Sequence, residues 1–357
     1  MASVVNSGIN IKHLLIGKPF PSSMEIHERL DKVRGLAVFA SDPISSNAYA
    51  TEAIMHTLIV LGSGALALTL PIGLAVASLV LFVVFSYIQT ILHYPDGGGA
   101  YTVAKDNLGT FPSLLAGAAL LTDYVLTVSV SVSAGVRAVT SAFPEMFEFR
   151  VYLAVAAIMV ITWVNLRGVR ESGTVFAFPT YAFVLGVWLV ILVGLVRYFG
   201  LFGVTPIAPS AETALPQTNL TGLAYIWLIL RAFAGGCTAL TGIEAISNGV
   251  RAFKPPESRN AAKTMLAMGL MAMSLFIGIT FLATQLRLVP HEGESTLSQM
   301  TRQITGGGAL YYWVQLFTAL ILFMAVERVL ARPTWRVTMR PMASIRAVAV
   351  AAARRGL

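Results

Sequence analysis

Long apolar runs recur along the chain, and short stretches that carry turn residues and charges separate them. Each run is close to the roughly 20 residues that a helix needs to cross the hydrocarbon core of a bilayer. Such runs are too long for single β-strands, and in lipid a helix satisfies its own backbone polar groups. The pattern therefore predicts an all-α membrane protein with about eight transmembrane helices, near residues 36–61, 68–92, 112–142, 151–166, 174–197, 221–250, 264–286 and 308–326.

The composition supports a membrane protein and excludes other classes. Hydrophobic residues make up 56% of the 357 residues and charged residues only 12%, whereas soluble globular proteins carry about 25% charged residues. The single cysteine, Cys237, excludes a disulfide framework, and no Cys/His cluster has the spacing of metal ligands. The sequence also contains no nucleophile–base pair and no phosphate-binding loop, so it predicts a transporter rather than an enzyme.

The net charge of +8 is explained by membrane topology rather than by nucleic-acid binding. Most lysines and arginines lie in the N-terminal arm, in the loops after the second, fourth and sixth spans, and in the C-terminal tail. Since positively charged loops stay on the cytoplasmic side, the N-terminus is predicted to be cytoplasmic. We expect a multi-pass protein of the cell membrane that contacts the lipid bilayer and binds no nucleic acid.

Two spans are interrupted by residues that disfavour a continuous helix. In the first span, Asp42 and Pro43 begin a run of Ser and Asn that ends at Tyr49, and proline removes a backbone donor. In the sixth span, glycines recur from Gly235 to Gly242. Interrupted spans at corresponding positions of two halves are typical of transporters built from inverted repeats, whose site lies between the broken helices. The alternative is that these glycines only allow close helix packing.

The third span carries a polar stripe at helical spacing. Asp123, Thr127 and Ser131 are four residues apart, so they lie along one face of the helix. With Asp42 and Tyr49 of the first span they would present carboxylate and hydroxyl oxygens, which suit alkali or alkaline-earth cations rather than zinc or copper. Hydrogen bonds between helices could explain the hydroxyls. They do not explain two carboxylates at similar depth without a cation or a proton to neutralise them.

Other ionisable residues in the spans rank below this stripe as site candidates. Glu244 follows the interruption of the sixth span, and it could either titrate, and so serve proton coupling, or cap the broken helix. Glu52 and His56 lie toward the far end of the first span, where a solvated imidazole is the favoured interpretation of the histidine. For Arg137 and Arg231 a structural role is the favoured interpretation.

Several motifs resemble those of the amino acid–polyamine–organocation (APC) superfamily of permeases. The loop from Tyr94 to Tyr101, with its three consecutive glycines, is similar to the signature loop of that superfamily, and Gly242 to Ala245 resembles its interrupted sixth span. The run from Ser41 to Tyr49, with Asp123-Tyr124 and Asn165 to Gly168, narrows the resemblance to the KimA-type branch of potassium/proton symporters.

The resemblance, which covers residues 15–325, implies an architecture, a site and a substrate. The potassium-binding residues of the branch would fall in this chain on Asp42, Tyr49, Asp123, Thr127, Ser131 and a threonine of the sixth span, Thr238 being preferred to Thr241. The resemblance also implies two inverted five-helix repeats, alternating access at the membrane midplane and a homodimer. Potassium ions and protons would be the transported species, and no cofactor is implied.

The chain divides into four segments on this basis. A cytoplasmic N-terminal arm (1–35) precedes the first five-helix repeat (36–197) and a partial second repeat with spans six to eight (221–326). Residues 327–357 form a basic tail rich in Arg and Ala, where the family pattern stops. We expect this tail to result from a shift of reading frame that leaves the second repeat incomplete. A basic segment that binds anionic lipid is the alternative.

The leading functional hypothesis is secondary active transport, namely proton-coupled uptake of a monovalent cation, potassium, at a site between the broken first and sixth spans. Two alternatives stay open. One is an amino acid or amine permease of the APC superfamily, whose broken helix ends would bind a carboxylate and an amine. The other is a truncated chain that transports nothing. The residues do not discriminate potassium from sodium, because both ions accept the same oxygen ligands.

Overall fold

The computed structural model describes residues 29–166, 173–210 and 221–331. In these three segments the chain is helical and forms no β-strand, apart from isolated bridges that join Leu30 to Phe253 and His291 to Glu294. Seven of the helices described are long and apolar enough to cross a membrane. The prediction of an all-α membrane protein is therefore confirmed.

The helices agree closely with the predicted spans. They are α1 (Lys32–Phe39), α2 (Ser41–Leu58), α3 (Thr69–His93), α4 (Ala100–Leu108), α5 (Thr110–Ala142), α6 (Arg150–Leu166), α7 (Gly173–Tyr198), α8 (Leu223–Gly236), α9 (Ala245–Asn248), α10 (Glu257–Gln285), α11 (Thr296–Thr305) and α12 (Ala309–Ala331). Helix α10 begins before its predicted span. Its first two turns carry charged residues, which a prediction from apolar runs does not include. Helix α12 continues past residue 326 to Ala331, and the rest of the predicted tail lies outside the described residues.

The first span consists of two helices, α1 and α2, rather than one. The interruption lies at Ala40, and it is shorter than predicted because the run from Asp42 to Tyr49 is helical. Its polar residues make α2 too hydrophilic to be one of the seven apolar helices. Together α1 and α2 are long enough to cross a bilayer, and the eighth crossing stays a prediction.

Helix α2 lies in the interior of the bundle. All but four of its 18 residues are buried, and it contacts α8, α10 and α12. Apolar side chains of these helices, such as Ile44, Ile54 and Phe276, form one large core with α3 and α7. The polar residues of α2 are therefore enclosed by protein and do not face lipid, which is where ionisable groups in a membrane protein are tolerated.

The outer helices present apolar side chains to their surroundings. The large hydrophobic residues of α6 that are exposed are Val151, Tyr152, Val155, Ile158, Met159, Val160 and Trp163. Soluble monomers rarely expose such a large apolar patch. The hydrocarbon of a lipid bilayer is the environment in which this surface is stable, and the protein is a multi-pass membrane protein.

We refer to the two ends of the bundle as the N-terminal face, where α1 begins, and the opposite face. The predicted signature loop lies at the N-terminal face and packs on α9. The backbone N–H of Gly98 donates to the carbonyl of Ser247 at 3.2 Å. A Cβ atom at Gly99 would lie 1.9 Å from Oδ1 of Asn248. The glycines are therefore needed because larger residues would separate the loop from the sixth span.

Candidate functional site

The two interrupted spans touch each other at Asp42 and Gly242. Asp42 lies in the first turn of α2 and is 1% exposed. Gly242 follows the 3₁₀ turn Cys237–Leu240 of the sixth span and has φ +77°, which glycine adopts without steric cost. A Cβ atom at Gly242 would lie 2.3 Å from Oδ2 of Asp42. The backbone of the sixth span therefore lies directly against the carboxylate of the first.

The start of α2 is a favourable place for a carboxylate. An anion in the first turn of a helix is stabilised by the partial positive charge at the helix N-terminus. Pro43 is tolerated in this turn because its missing N–H would have no partner within the helix. The hydroxyls of Ser45 and Ser46 both donate to the carbonyl of Asp42 at 3.0 Å, and the side chain of Asn47 donates to the carbonyl of Pro43 at 3.0 Å. These polar residues therefore satisfy the backbone beside the interruption.

Tyr49, two turns after Asp42, connects the first and third spans. Its hydroxyl lies 3.0 Å from the hydroxyl of Ser46. It is within electrostatic range of the carboxylates of Asp42 and Asp123, and Ser131 lies beside it. Carboxylates of two different helices therefore act electrostatically on one tyrosine hydroxyl. We refer to Asp42, Tyr49, Asp123 and Ser131 as the acidic cluster.

The polar stripe of α5 extends from the acidic cluster toward the N-terminal face. Ser131 and Thr127 are buried, whereas Asp123 is half-buried. The hydroxyl of Tyr87 on α3 is within electrostatic range of both Asp123 and Glu244, and Glu244 is also buried. Tyr49 therefore lies within electrostatic range of acids of the first and third spans, and Tyr87 within range of acids of the third and sixth spans.

The hydroxyls of both candidate threonines in the sixth span donate within their own turns. Thr238 donates to the carbonyl of Gly235 at 2.9 Å, and Thr241 donates to the carbonyl of Thr238 at 2.7 Å. A hydroxyl that donates its proton still has two lone pairs on oxygen for a ligand. Thr241 immediately precedes Gly242, the residue that touches Asp42. The side chain of Glu244 makes no capping hydrogen bond to α9.

A second group of charged residues surrounds Glu52, which the sequence analysis ranked low. Its side chain is only 5% exposed, and it is paired with the guanidinium of Arg137 on α5. It also accepts a hydrogen bond from the backbone N–H of Thr296 at 2.9 Å and lies 3.3 Å from Nε2 of His56. Arg137 donates in addition to the carbonyl of His291. Glu52 and Arg137 therefore tie α2 and α5 to the start of α11.

The spacing of polar residues along α2 indicates that Glu52 and His56 lie on the same side of the helix as Asp42 and Tyr49. Glu52 and His56 follow Asp42 and Tyr49 at intervals of seven, three and four residues, so the four side chains lie along one side of the helix. A polar line of this length inside an enclosed helix indicates a route for ions or water as well as a site.

Two adjoining cavities, which we call the vestibule, extend from Tyr49 to the opposite face. The inner cavity has a volume of about 370 Å³ and the outer one about 380 Å³. Ser133 lines both cavities. The charged and titratable side chains along the vestibule are Glu52, His56, Arg137, Arg150 and Glu292. The vestibule therefore leads from one face of the bundle to the acidic cluster.

The donor atoms of the acidic cluster are carboxylate, phenol and hydroxyl oxygens. Hard oxygen ligands suit alkali cations better than zinc or copper, which prefer nitrogen and sulfur. Among the residues that the structure describes, no group of three or more His, Cys, Asp or Glu side chains could hold a metal ion of that kind. The oxygens of the cluster can therefore replace the water molecules that hydrate a cation.

The contact between Gly242 and Asp42 can be tested by substitution with alanine. We expect Gly242→Ala to lower the free energy of unfolding in detergent by about 1 kcal/mol for the left-handed backbone and by a further 1–3 kcal/mol, roughly, for the overlap with Asp42. Gly306→Ala is the matched control, because Gly306 has the same φ of +77° and nothing within 4 Å of an added Cβ. Equal losses of stability in the two variants would contradict the close contact.

Comparison with known proteins identifies relatives over most of the chain. A family profile described as amino acid permease matches residues 33–331. The potassium transporter KimA of Bacillus subtilis (strain 168) is 44% identical over 318 residues, which are 89% of this chain and 52% of that protein. The cationic amino acid transporter 6, chloroplastic, of Arabidopsis thaliana is 26% identical over 54% of this chain and 35% of its own length. The low-affinity putrescine importer PlaP of Escherichia coli (strain K12) is 25% identical over 57% of this chain and 43% of its own length.

These relatives confirm the resemblance drawn from the motifs. The chain spans about half the length of KimA and less than half the length of the other two. The profile and the relatives describe transporters and not enzymes, which confirms the predicted class at the level of the family. Because the profile matches most of the chain, this protein belongs to the amino acid permease family.

Proposed function

We propose that the protein takes up potassium ions together with protons, and that the acidic cluster binds the potassium ion. The observation that carries this proposal is that Asp42 and Asp123 both lie within electrostatic range of the hydroxyl of Tyr49, with the backbone of Gly242 against Asp42. The substrate is inferred from the similarity to KimA, a potassium transporter, of which this chain covers 52%.

The chemistry of the cluster fits a small cation that has lost its water. A potassium ion entering the protein must exchange its hydration shell for protein oxygens. Asp42 and Asp123 supply carboxylates, and Tyr49 supplies a phenol oxygen. The further oxygen ligands that we propose are Thr127, Ser131 and either Thr241 or Thr238. We place Thr241 first, since it adjoins the residue that touches Asp42.

The two carboxylates also explain why a cation would be held. Two like charges in one enclosed site repel each other. A potassium ion between Asp42 and Asp123 removes this repulsion, and so does a proton. We assign the coupled proton to Glu244 because this acid is buried, and because it and Asp123 both lie within electrostatic range of the hydroxyl of Tyr87.

The arrangement of the two faces fits alternating access. The vestibule reaches Tyr49 from the opposite face, while the glycine loop packs on α9 at the N-terminal face. With the N-terminus in the cytoplasm, as the distribution of lysine and arginine favours, the site would be open to the outside. We further propose that the spans form inverted five-helix repeats and that two copies form a homodimer, on the basis of the family resemblance.

A second candidate substrate is an organic amine. The relatives named above include a cationic amino acid transporter and a putrescine importer. An ammonium group carries the same charge as a potassium ion and donates hydrogen bonds to carboxylates. The acidic cluster would therefore bind either species, and the size of the site decides between them.

Neutralising either acid tests the proposed site. We expect Asp42→Asn and Asp123→Asn each to lower uptake of radioactive rubidium into proteoliposomes at least about tenfold, because each removes a charged ligand from an enclosed site. The control is Asp106→Asn, which neutralises an exposed carboxylate on α4 at the N-terminal face.

The full chain of 357 residues is used in this experiment, and monodisperse elution in detergent shows that each variant folds. Uptake by Asp42→Asn and Asp123→Asn at the rate of the original chain would overturn the assigned site. A chain that takes up no rubidium, and no amine in the experiment below, would support the hypothesis of a protein that transports nothing.

Competition separates potassium from an amine. We expect unlabelled potassium at tenfold excess to suppress rubidium uptake, whereas putrescine, lysine and arginine at the same excess leave it unchanged. The potassium proposal would be replaced by the amine permease if two results are found. An amine inhibits rubidium uptake, and the protein takes up the labelled amine in a way that Asp42→Asn abolishes.

A further inference from the structure

The ion pair of Glu52 and Arg137 lies in the vestibule, between the opposite face and Tyr49. Arg137 lines both cavities of the vestibule, and Glu52 lines the inner one. The guanidinium of arginine is charged at any pH that a protein tolerates. Without a partner, Arg137 would place a fixed positive charge in the vestibule that leads to the proposed cation site.

The arginines and glutamates that line the vestibule are equal in number. Glu52 is paired with Arg137 in the inner cavity, and the outer cavity is lined by both Arg150 and Glu292. The remaining titratable group is the imidazole of His56, which lies beside Glu52. The acidic cluster has two carboxylates, whereas the guanidinium of Arg137 is bound by Glu52 and by the carbonyl of His291. A cation moving inward would thus pass a neutral vestibule and reach a negative site.

We propose that Glu52 determines the charge selectivity of the vestibule by cancelling the positive charge of Arg137. The inference rests on the proposed function, since a cation is the species that must pass. Glu52 acts on the electrostatic potential of the route, whereas the acidic cluster binds the ion. Loss of Glu52 alone leaves Arg137 uncompensated, and loss of both residues restores neutrality.

A different role for the pair would be to clamp α11 to the bundle. Glu52 accepts from the backbone of Thr296, and Arg137 donates to the carbonyl of His291. Both of these partners are backbone groups, and a glutamine at either position can still donate or accept a hydrogen bond. The double variant Glu52→Gln/Arg137→Gln therefore removes both charges while retaining these hydrogen-bonding functions.

The potential in the vestibule can be measured without transport. Ser133 is exposed and lines both cavities, so Ser133→Cys in a Cys237→Ala background puts the protein's single thiol in the vestibule. Three methanethiosulfonate reagents are compared: one with a trimethylammonium group, one with a sulfonate group and one uncharged. The rate with the uncharged reagent corrects for access. The ratio of the cationic rate to the anionic rate then reports the potential.

We expect Glu52→Gln to lower this ratio at least about tenfold, because an unpaired unit charge acts at short range in an enclosed passage. Arg137→Gln should raise the ratio, and the double variant should return it to within about threefold of the starting protein. Arg302→Gln is the matched control, since it disrupts the pair of Arg302 with Glu294 at α11 without changing a residue that lines the vestibule. We expect no change of the ratio there.

Equal ratios in all variants would overturn the inference, and so would a double variant that keeps the low ratio of Glu52→Gln. If Arg302→Gln lowers the ratio as strongly as Glu52→Gln, the position of α11 and not charge sets it, which also overturns the inference. Uptake of rubidium by the starting protein is measured in parallel. If the starting protein takes up no rubidium while the ratios of cationic to anionic rate change as expected, the proposed function is refuted and the inference about Glu52 stands.

Discussion

The close approach of the Gly242 backbone to the carboxylate of Asp42 holds the two interrupted spans together. It requires a residue without Cβ and with positive φ in the sixth span, and a helix that begins at Ser41 in the first. Both interruptions leave backbone groups without helical partners, and such groups are tolerated at membrane depth only inside protein. Burial of α2 in the core therefore allows the break to exist.

The two acidic regions of α2 differ in the groups that surround them. At Glu52 the carboxylate contacts an arginine, a backbone amide and an imidazole. Around Tyr49, carboxylates of two different helices lie within electrostatic range of one phenol hydroxyl, and Ser131 lies beside it. Because these donors are oxygens that suit an alkali cation, we regard the acidic cluster as the proposed binding site and Glu52 as part of the route to it.

The sequence predicted those parts of the molecule that depend on local pattern. Apolar runs marked the spans, the glycines near Gly242 marked the break of the sixth span, and the spacing of Asp123, Thr127 and Ser131 marked a polar face. The break of the first span was predicted too long, because Ser45 and Ser46 bond to the carbonyl of Asp42 within the helix instead of unwinding it.

Contacts between distant residues were beyond the reach of such patterns. Glu52 and Thr296 are 244 positions apart, and nothing in the intervening chain indicates that an amide at the start of α11 meets that carboxylate. The short helices α4 and α11 were also not predicted. They lie outside the apolar runs, and tertiary packing rather than hydropathy determines where they form.

An experimental structure of the protein with rubidium, phased to show the anomalous scattering of that ion, tests the central claim most directly. The account predicts an anomalous peak between Asp42 and Asp123, within about 3 Å of a carboxylate oxygen of each and beside Gly242. A peak beside Glu52 with none between the two aspartates, or a structure in which the two aspartates lie too far apart to share one ion, would contradict it.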